Sequence, residues 1–374
     1  MAARLEAIYR VRGEAASIAA RAQGIAVEQS VEMPLSAITE PNVLTDVVGE
    51  VRDIADLGQG VFEIRIGLAV DTIGLDAGQL LNMLFGNTSL HEDVTLHDVE
   101  LPAPLAAAFA GPNHGEAGLR AHLGIGDGRA LTCSAIKPQG APVPLLAHLA
   151  GQFALGGIDW IKDDHGMADQ AYGRFAHRMA ACAAAVRIAT RETGHPTRYA
   201  PSLSGTLDTM RRQIRQAREA GLDSVVVAPM VAGVSTFHAL VRENPDFAFL
   251  AHPSMGGAAR IAPPLLIGKL FRLFGADAVV FPSHGGRFGY SAQTCATLAT
   301  NALADWHHLA PALPVPAGGM TLARVPDILD FYGPRTMVLI GGSLLEAHEC
   351  LADETTAFTR AVAIHSFRQV PHGQ

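Results

Sequence analysis

Gly156-Gly157-Ile158-Asp159-Trp160-Ile161-Lys162-Asp163-Asp164-His165 is the stretch that decides how this chain folds: an apolar, strand-like run ends in a lysine, two carboxylates and an imidazole. Side chains alternate between the faces of a strand, so Lys162 and Asp164 share one side and Asp163 points to the other. His165 follows the strand and can turn back towards them. Such a cluster can hold a divalent cation among oxygen ligands once the Lys162 amine has reacted with carbon dioxide to give an anionic carbamate; a protonated lysine cannot be a ligand. The same ten residues fit equally an ion pair of Lys162 with Asp163 or Asp164, so the surrounding sequence has to decide.

Outward from this stretch, everything beyond Gly111-Pro112-Asn113-His114-Gly115 alternates short β-branched apolar runs with alanine-rich amphipathic segments, the pattern of βα units around a parallel sheet. The runs are Leu131 to Ile136, Gly157 to Ile161, Arg198 to Leu203, Ser224 to Ala228, Phe247 to Ala251, Ala278 to Phe281, Leu313 to Pro316 and Thr336 to Ile340. Eight strands separated by helices predict a (β/α)8 TIM barrel, whose active site lies at the carboxyl ends of the strands. Those ends carry Lys137 after the first run, Lys162, Asp164 and His165 after the second, His252 after the fifth and Ser283 to Arg287 after the sixth. Gly318-Gly319 and Gly341-Gly342 follow the seventh and eighth, where backbone N–H groups of a barrel commonly cradle a phosphate. Taken singly, each glycine pair is equally an ordinary strand-to-helix turn. His252 at a strand end is a candidate hydrogen-bond partner for a substrate hydroxyl, and His284 lies in a loop suited to form a lid.

Residues 1 to 112 read differently. Two β-rich stretches, Ala7 to Gly13 and Val47 to Ile54 running into Val61 to Val70, are interleaved with helical periods at Glu14 to Gln23 and near Gln79 to Leu84, so a small α+β domain precedes a barrel of residues 113 to 374. The 374 residues include 28 basic and 36 acidic ones, a net charge of −8. With a pI near 6.0 the chain lacks the basic surface that nucleic acid or an anionic membrane requires. Cys133, Cys182, Cys295 and Cys350 show no paired spacing and read as core thiols in a reducing compartment. The N-terminus is too polar for a signal peptide and no apolar run reaches membrane-spanning length, so a soluble cytoplasmic protein is expected.

These residues resemble, nearly end to end, the large subunit of ribulose-bisphosphate carboxylase (RuBisCO), and more closely its non-carboxylating relatives, the RuBisCO-like proteins. The matching elements are Val27-Glu28-Gln29-Ser30, Gly86-Asn87, the Gly-Pro-x-His-Gly lead-in at Gly111 to Gly115, Ile136-Lys137-Pro138, Gly157 to Asp164, His252, the sixth loop ending in Arg287, and the two glycine pairs. The resemblance implies a ferredoxin-like N-terminal domain ahead of the barrel. It implies that Lys162, carbamylated by carbon dioxide, and Asp164 ligate Mg2+ or another divalent cation, and that Lys137 assists enolisation. Removing a proton beside a ketone leaves an enediolate, which a Lewis acid stabilises while a lysine of lowered pKa, or the carbamate on Lys162, shuttles the proton. It further implies a homodimer in which Glu28 and Asn87 reach the barrel mouth of the neighbouring subunit.

Departures from the carboxylase pattern bear on substrate. His165 stands where the family has a ligating glutamate; it can remain a neutral metal ligand, act as an acid or base beside the metal, or sit aside. Gln139 replaces a second lysine, and Arg287 replaces the mobile lysine that orients carbon dioxide, which argues against gas fixation. Pro253 and Val280 replace an arginine and a histidine that contact the second phosphate of a bisphosphate, Ala317 replaces a serine, and Met33 and Pro34 replace N-terminal phosphate contacts. Arg287 keeps a fork suited to phosphate or carboxylate. The reading is therefore a metal-dependent isomerase or enolase acting on a phosphorylated ketose such as a methylthioribulose phosphate. The alternatives are a decarboxylase or transcarboxylase of a phosphorylated 3-oxo sugar acid such as 3-oxo-isoapionate 4-phosphate, and a barrel that only binds a sugar phosphate.

Overall fold

In the computed structural model, which describes residues 3–367, four strands form an N-terminal antiparallel sheet: β1 (Arg4–Arg12), β2 (Glu50–Asp56), β3 (Val61–Ala69) and β4 (Val94–Glu100). Their spatial order is β2-β3-β1-β4, and helices Ile18–Glu28 and Ala77–Phe85 complete a βαββαβ sequence, the ferredoxin-like arrangement. Period-two alternation makes the layer: Phe62, Ile64, Ile66 and Leu68 on β3 and Leu5, Ala7, Tyr9 and Val11 on β1 are buried in the core. β4 is not among the strands expected from the sequence, and the pairing explains why. Its register against β1 shifts between Ile8 and Tyr9, opposite Asp98 and Leu96, so a bulge at His97 interrupts the alternation. The first helix begins at Ile18 rather than Glu14, because a turn intervenes.

The barrel strands are β5 (Leu131–Ile136), β6 (Trp160–Asp163), β7 (Arg198–Ala200), β8 (Ser224–Val227), β9 (Ala248–Ala251), β10 (Ala278–Pro282), β11 (Leu313–Ala317) and β12 (Met337–Leu339). They pair in parallel as two arcs, β12-β5-β6-β7 and β8-β9-β10-β11. Val226 N–H donates to Pro201 O (2.9 Å) and Leu203 N–H to Val226 O (2.9 Å), which joins β7 to β8. At the other seam the Leu313 N–H points to Asp277 O ahead of β10, so by alternation Pro314 and Pro316 turn their nitrogens towards β12 and offer no donor. Thr336 Oγ1 donates to Pro314 O (3.0 Å) there instead.

Apolar side chains fill the barrel from its amino end. Leu119 and Leu123 of helix Gly115–Leu123 plug the floor and pack with Leu131, Cys133, Trp160, Leu250 and Val315. Asp277 pins this plug by accepting the N–H groups of His114 (2.6 Å), Gly115 (2.8 Å) and Phe249 (2.7 Å), a junction role for the Gly111 to Gly115 segment. The N-terminal domain attaches through β4: Leu96 N–H donates to Arg260 O (3.0 Å), Ala262 N–H donates to Leu96 O (2.9 Å), and Lys269 pairs with Asp98 (2.7 Å). Cys133, Cys182 and Cys295 are buried thiols; Cys350 is exposed, contrary to the expectation that all four belong to the core, because it sits on a surface turn before the last helix. No helix among the described residues is long and apolar enough to cross a membrane.

Candidate active site

The carboxyl ends of the barrel strands open into a cavity of about 810 Å³. Lys137, Lys162, Asp164, His165, His252, Arg287 and both glycine pairs all line it. The strand alternation expected around Lys162 is present. Asp163 faces outward, where it accepts from Arg178 Nε (3.1 Å), the Tyr199 hydroxyl (2.6 Å) and Ser202 N–H (3.1 Å). Its role is to tie β6 to its covering helix and to β7.

On the inward side the ion pair differs from the one the sequence suggested. The Asp164 carboxylate is paired with Lys137, from the neighbouring strand end, and not with Lys162. Burial pushes the Asp164 carboxyl up, but the Lys137 ammonium, the Gly166 N–H (3.1 Å) and the charge of Lys162 outweigh it and hold the group at about 2. Lys162 is only 3% exposed and donates to the Asp163 carbonyl (2.8 Å). Burial pushes its amine below the usual lysine range, with the charge of Lys137 adding to the effect. His165 Nδ1 lies 3.2 Å from Asp164 Oδ1. Among the described residues no three His, Cys, Asp or Glu side chains converge as metal ligands, so Asp164 and His165 need a third donor from elsewhere.

His252 reaches the cavity from β9 and stacks on His165, with ring centroids 4.1 Å apart and planes within 7°. Burial drives its imidazole down to about 2, helped by the charges of Lys162 and His165. The ring is therefore neutral. Ser254 N–H donates to Nδ1 (3.3 Å) and the Ser254 hydroxyl lies 2.8 Å from the same atom. A backbone N–H can only donate, so Nδ1 carries the lone pair and the proton sits on Nε2. His252 is arranged as a hydrogen-bond donor.

The glycine loops are built for close approach. Gly318 and Gly319 have φ of +86° and +89°, which disfavours any other residue. Arg287 N–H donates to Gly318 O (3.0 Å), tying the β10 loop to the β11 loop, and the Arg287 guanidinium lies 5.6 Å from the Phe288 ring. Gly342 opens the short helix Gly342–Leu345, with nothing within 4 Å of where a Cβ would stand.

Other candidate residues suggested by the sequence lie elsewhere, and several lining residues were not anticipated. Asn87 Nδ2 donates to Glu28 (2.9 Å) and Glu32 (2.9 Å) on the N-terminal domain, outside this chain's own cavity. His284 packs on Phe331 (4.3 Å between centroids) and does not line the cavity. Met255, Phe288, Met320 and Glu346 do line it. Phe288 follows Arg287 directly and could have been found with it; Met255 and Glu346 lie several residues beyond their strands, in turns whose path no local pattern fixes.

The profile of the ribulose bisphosphate carboxylase large chain, catalytic domain, matches residues 118–364. The crystal structure of a Rubisco-like protein from Rhodopseudomonas palustris superposes with a TM-score of 0.92 at 49% identity, covering 99% of this chain and 100% of that one. The chain is a RuBisCO-like protein. Among its relatives, the 5-methylthioribulose-1-phosphate isomerase of Rhodospirillum rubrum is 60% identical over 363 residues, covering 97% of each chain. The 2,3-diketo-5-methylthiopentyl-1-phosphate enolase of Geobacillus kaustophilus is 32% identical over 290 residues, 75% of the present RuBisCO-like chain and 70% of the enolase.

Proposed function

We propose that this protein moves a proton between adjacent carbons of a 5-methylthioribulose 1-phosphate or a closely related thioether ketose monophosphate, through an enediolate. It is an enzyme of the RuBisCO-like isomerase and enolase type, in keeping with relatives that carry those activities over most of their length. The observation that carries the reading is the division of the cavity. Lys137, Lys162 and Asp164 gather at β5 and β6, the glycine pairs lie at β11 and β12, and Pro253 and Val280 stand at β9 and β10. One end that offers donors to an anion and one apolar end suit a monophosphate with an uncharged tail.

In this reading the glycine N–H groups and Arg287 hold the phosphate, and His252 Nε2–H donates to a substrate oxygen beside the reacting carbons. Lys137, within reach of a carboxylate that orients it, acts once its ammonium has given its proton to solvent: the neutral amine then takes the proton from one carbon and returns it to the next.

The residues fit a divalent cation. Asp164 already holds a cationic group, the Lys137 ammonium, and His165 presents Nδ1 beside it. Lys162 can supply the missing anionic donor as a carbamate, because burial lowers its amine below the usual lysine range and so favours the neutral form that reacts with carbon dioxide. Lys162, Asp164 and His165 would hold Mg2+ or a similar ion, whose chemistry is Lewis-acid polarisation of a keto oxygen. The proposal includes a homodimer in which Glu28 and Asn87 serve the neighbouring cavity, working in the cytoplasm, where the free thiols stay reduced.

The test is to incubate the enzyme with 5-methylthioribulose 1-phosphate in deuterium oxide and follow it by NMR. Deuterium incorporation with an isomeric product and no carbon lost supports the proposal. Absence of exchange, or carbon dioxide release from a phosphorylated 3-oxo acid instead, overturns it.

A further inference from the structure

Met255 is 60% exposed, lines the cavity, and has a φ of +66°, a conformation that side-chain-bearing residues rarely adopt. Two turn hydrogen bonds hold it there: Gly256 N–H to Pro253 O (2.9 Å) and Ala258 N–H to Met255 O (3.0 Å). Glycine would occupy this backbone position without strain, and Gly256 and Gly257 follow directly. A strained methionine that packs into no core contributes nothing to folding that glycine would not. Its side chain therefore has another use.

Of the other large apolar residues at the mouth, Phe288 is also exposed, at 52%, but on the β10 loop, and Met320 is buried. Phe288 lies 3.2 Å from where a Cβ of Gly318 would stand, on the glycine side of the cavity. Pro253 and Val280 give β9 and β10 a wall without charge. Met255 is the flexible member of that wall, with apolar surface left open to a ligand. A thioether is unbranched and polarisable, so it adapts to the shape of an apolar group of similar kind.

We propose that Met255 is the specificity-determining residue for the uncharged tail of the substrate, closing the β9 end of the cavity over a thioether methyl and rejecting a hydroxyl in its place. This rests on the thioether ketose phosphate reading of the site. Covering the methionine with an alkylthio group removes apolar surface of both partners from water, whereas a hydroxyl loses its hydration there and gains no partner from Pro253, Val280 or Met255.

The experiment compares kcat/KM for 5-methylthioribulose 1-phosphate and for ribulose 1-phosphate in the native enzyme, Met255→Gly and Met255→Leu. The native enzyme prefers the thioether; Met255→Gly, which relieves the backbone and so remains folded, lowers the thioether-to-hydroxyl ratio about tenfold, mostly through KM. Met255→Leu retains most of the preference. An unchanged ratio in Met255→Gly overturns the assignment while leaving the reaction reading intact. Turnover of neither substrate by the native enzyme overturns the reaction reading and this assignment with it. If Met255→Asp splits an assembly in sedimentation while the ratio holds in Met255→Gly, the residue belongs to a subunit interface and the assignment falls.

Discussion

His165 and His252 stack face to face at 4.1 Å, although they follow β6 and β9, three strands apart around the barrel. The pair spans the mouth on the side of β7 and β8, and among the described residues none of those two strands lines the cavity. The stack thus bounds the cavity, which lies between the Lys137–Asp164 ion pair, the glycine loops and the β9 turn. It also brings the imidazole beside Asp164 into contact with the one fixed as a donor.

His252→Ala removes both the donor and the ring that supports His165. A fall in kcat of about a hundredfold is expected, as for other single preorganised donors, with little change in the melting temperature. His252→Gln, which keeps an N–H, should lose less. Steady-state kinetics with parallel calorimetry measures both.

The tautomer of His252 is open to direct observation. In protein labelled with 15N-histidine, the resonance absent from His252→Gln should show Nδ1 unprotonated and Nε2 protonated throughout the neutral range, because burial holds the ring neutral down to far more acidic conditions. Ser254→Ala removes the hydroxyl but keeps the backbone N–H that donates to Nδ1, so the proton should stay on Nε2. A wild-type spectrum with Nδ1 protonated would contradict the geometry.

Gly342→Ala tests the phosphate loops without disturbing the fold. The position begins a helix, where alanine is favoured, and an added Cβ meets no atom within 4 Å. A phosphate bound against that backbone would meet it. KM is expected to rise roughly tenfold, with kcat less affected and the urea midpoint unchanged.

Asp159 supports the site from beneath β6 and makes stability depend on acid. Burial raises its carboxyl, but Arg129 at both oxygens (2.7 Å each), His195 and the Thr132 N–H bring it down to about 2, below the ordinary 3.8. A depressed carboxyl stabilises the fold above its unfolded pKa and loses that contribution as pH falls through its folded pKa. About 2 kcal/mol is therefore present above about pH 4 and fades between pH 3.8 and 2. Asp159→Asn should be destabilised by about that amount at neutral pH, and its gap to the native protein should narrow in acid in urea unfolding.

Removal of divalent ions by EDTA in buffer free of carbon dioxide is expected to abolish turnover, and Mg2+ with bicarbonate to restore it. Lys162→Ala should retain the fold and show no restoration, since it cannot form the carbamate proposed as the third donor. Full activity in the chelated enzyme would exclude a metal from the reaction.

Much of the architecture was legible because it is local. The Leu131 to Ile136 run matches β5 at both ends, and the other seven runs fall on β6 to β12 with shifts of a few residues. Lys162 and Asp164 share the inner face with Asp163 outside, as alternation requires. β4 escaped notice because the bulge at His97 breaks that same alternation. Met255 escaped because a turn in an unusual backbone conformation aims its side chain, and no periodicity records that.

The amino-acid order by itself determined which chemical groups stand at the ends of which strands, since side-chain direction along a strand depends only on successive peptide units. It carried the family, the barrel and the lysine, carboxylate and imidazole set. Only the tertiary structure decided that Asp164 pairs with Lys137 instead of Lys162, that His165 lies on His252, and that Glu28 and Asn87 stay out of their own chain's cavity. Those relationships join residues far apart in the chain, and they follow from how the strands close into a ring and how each loop turns back over it.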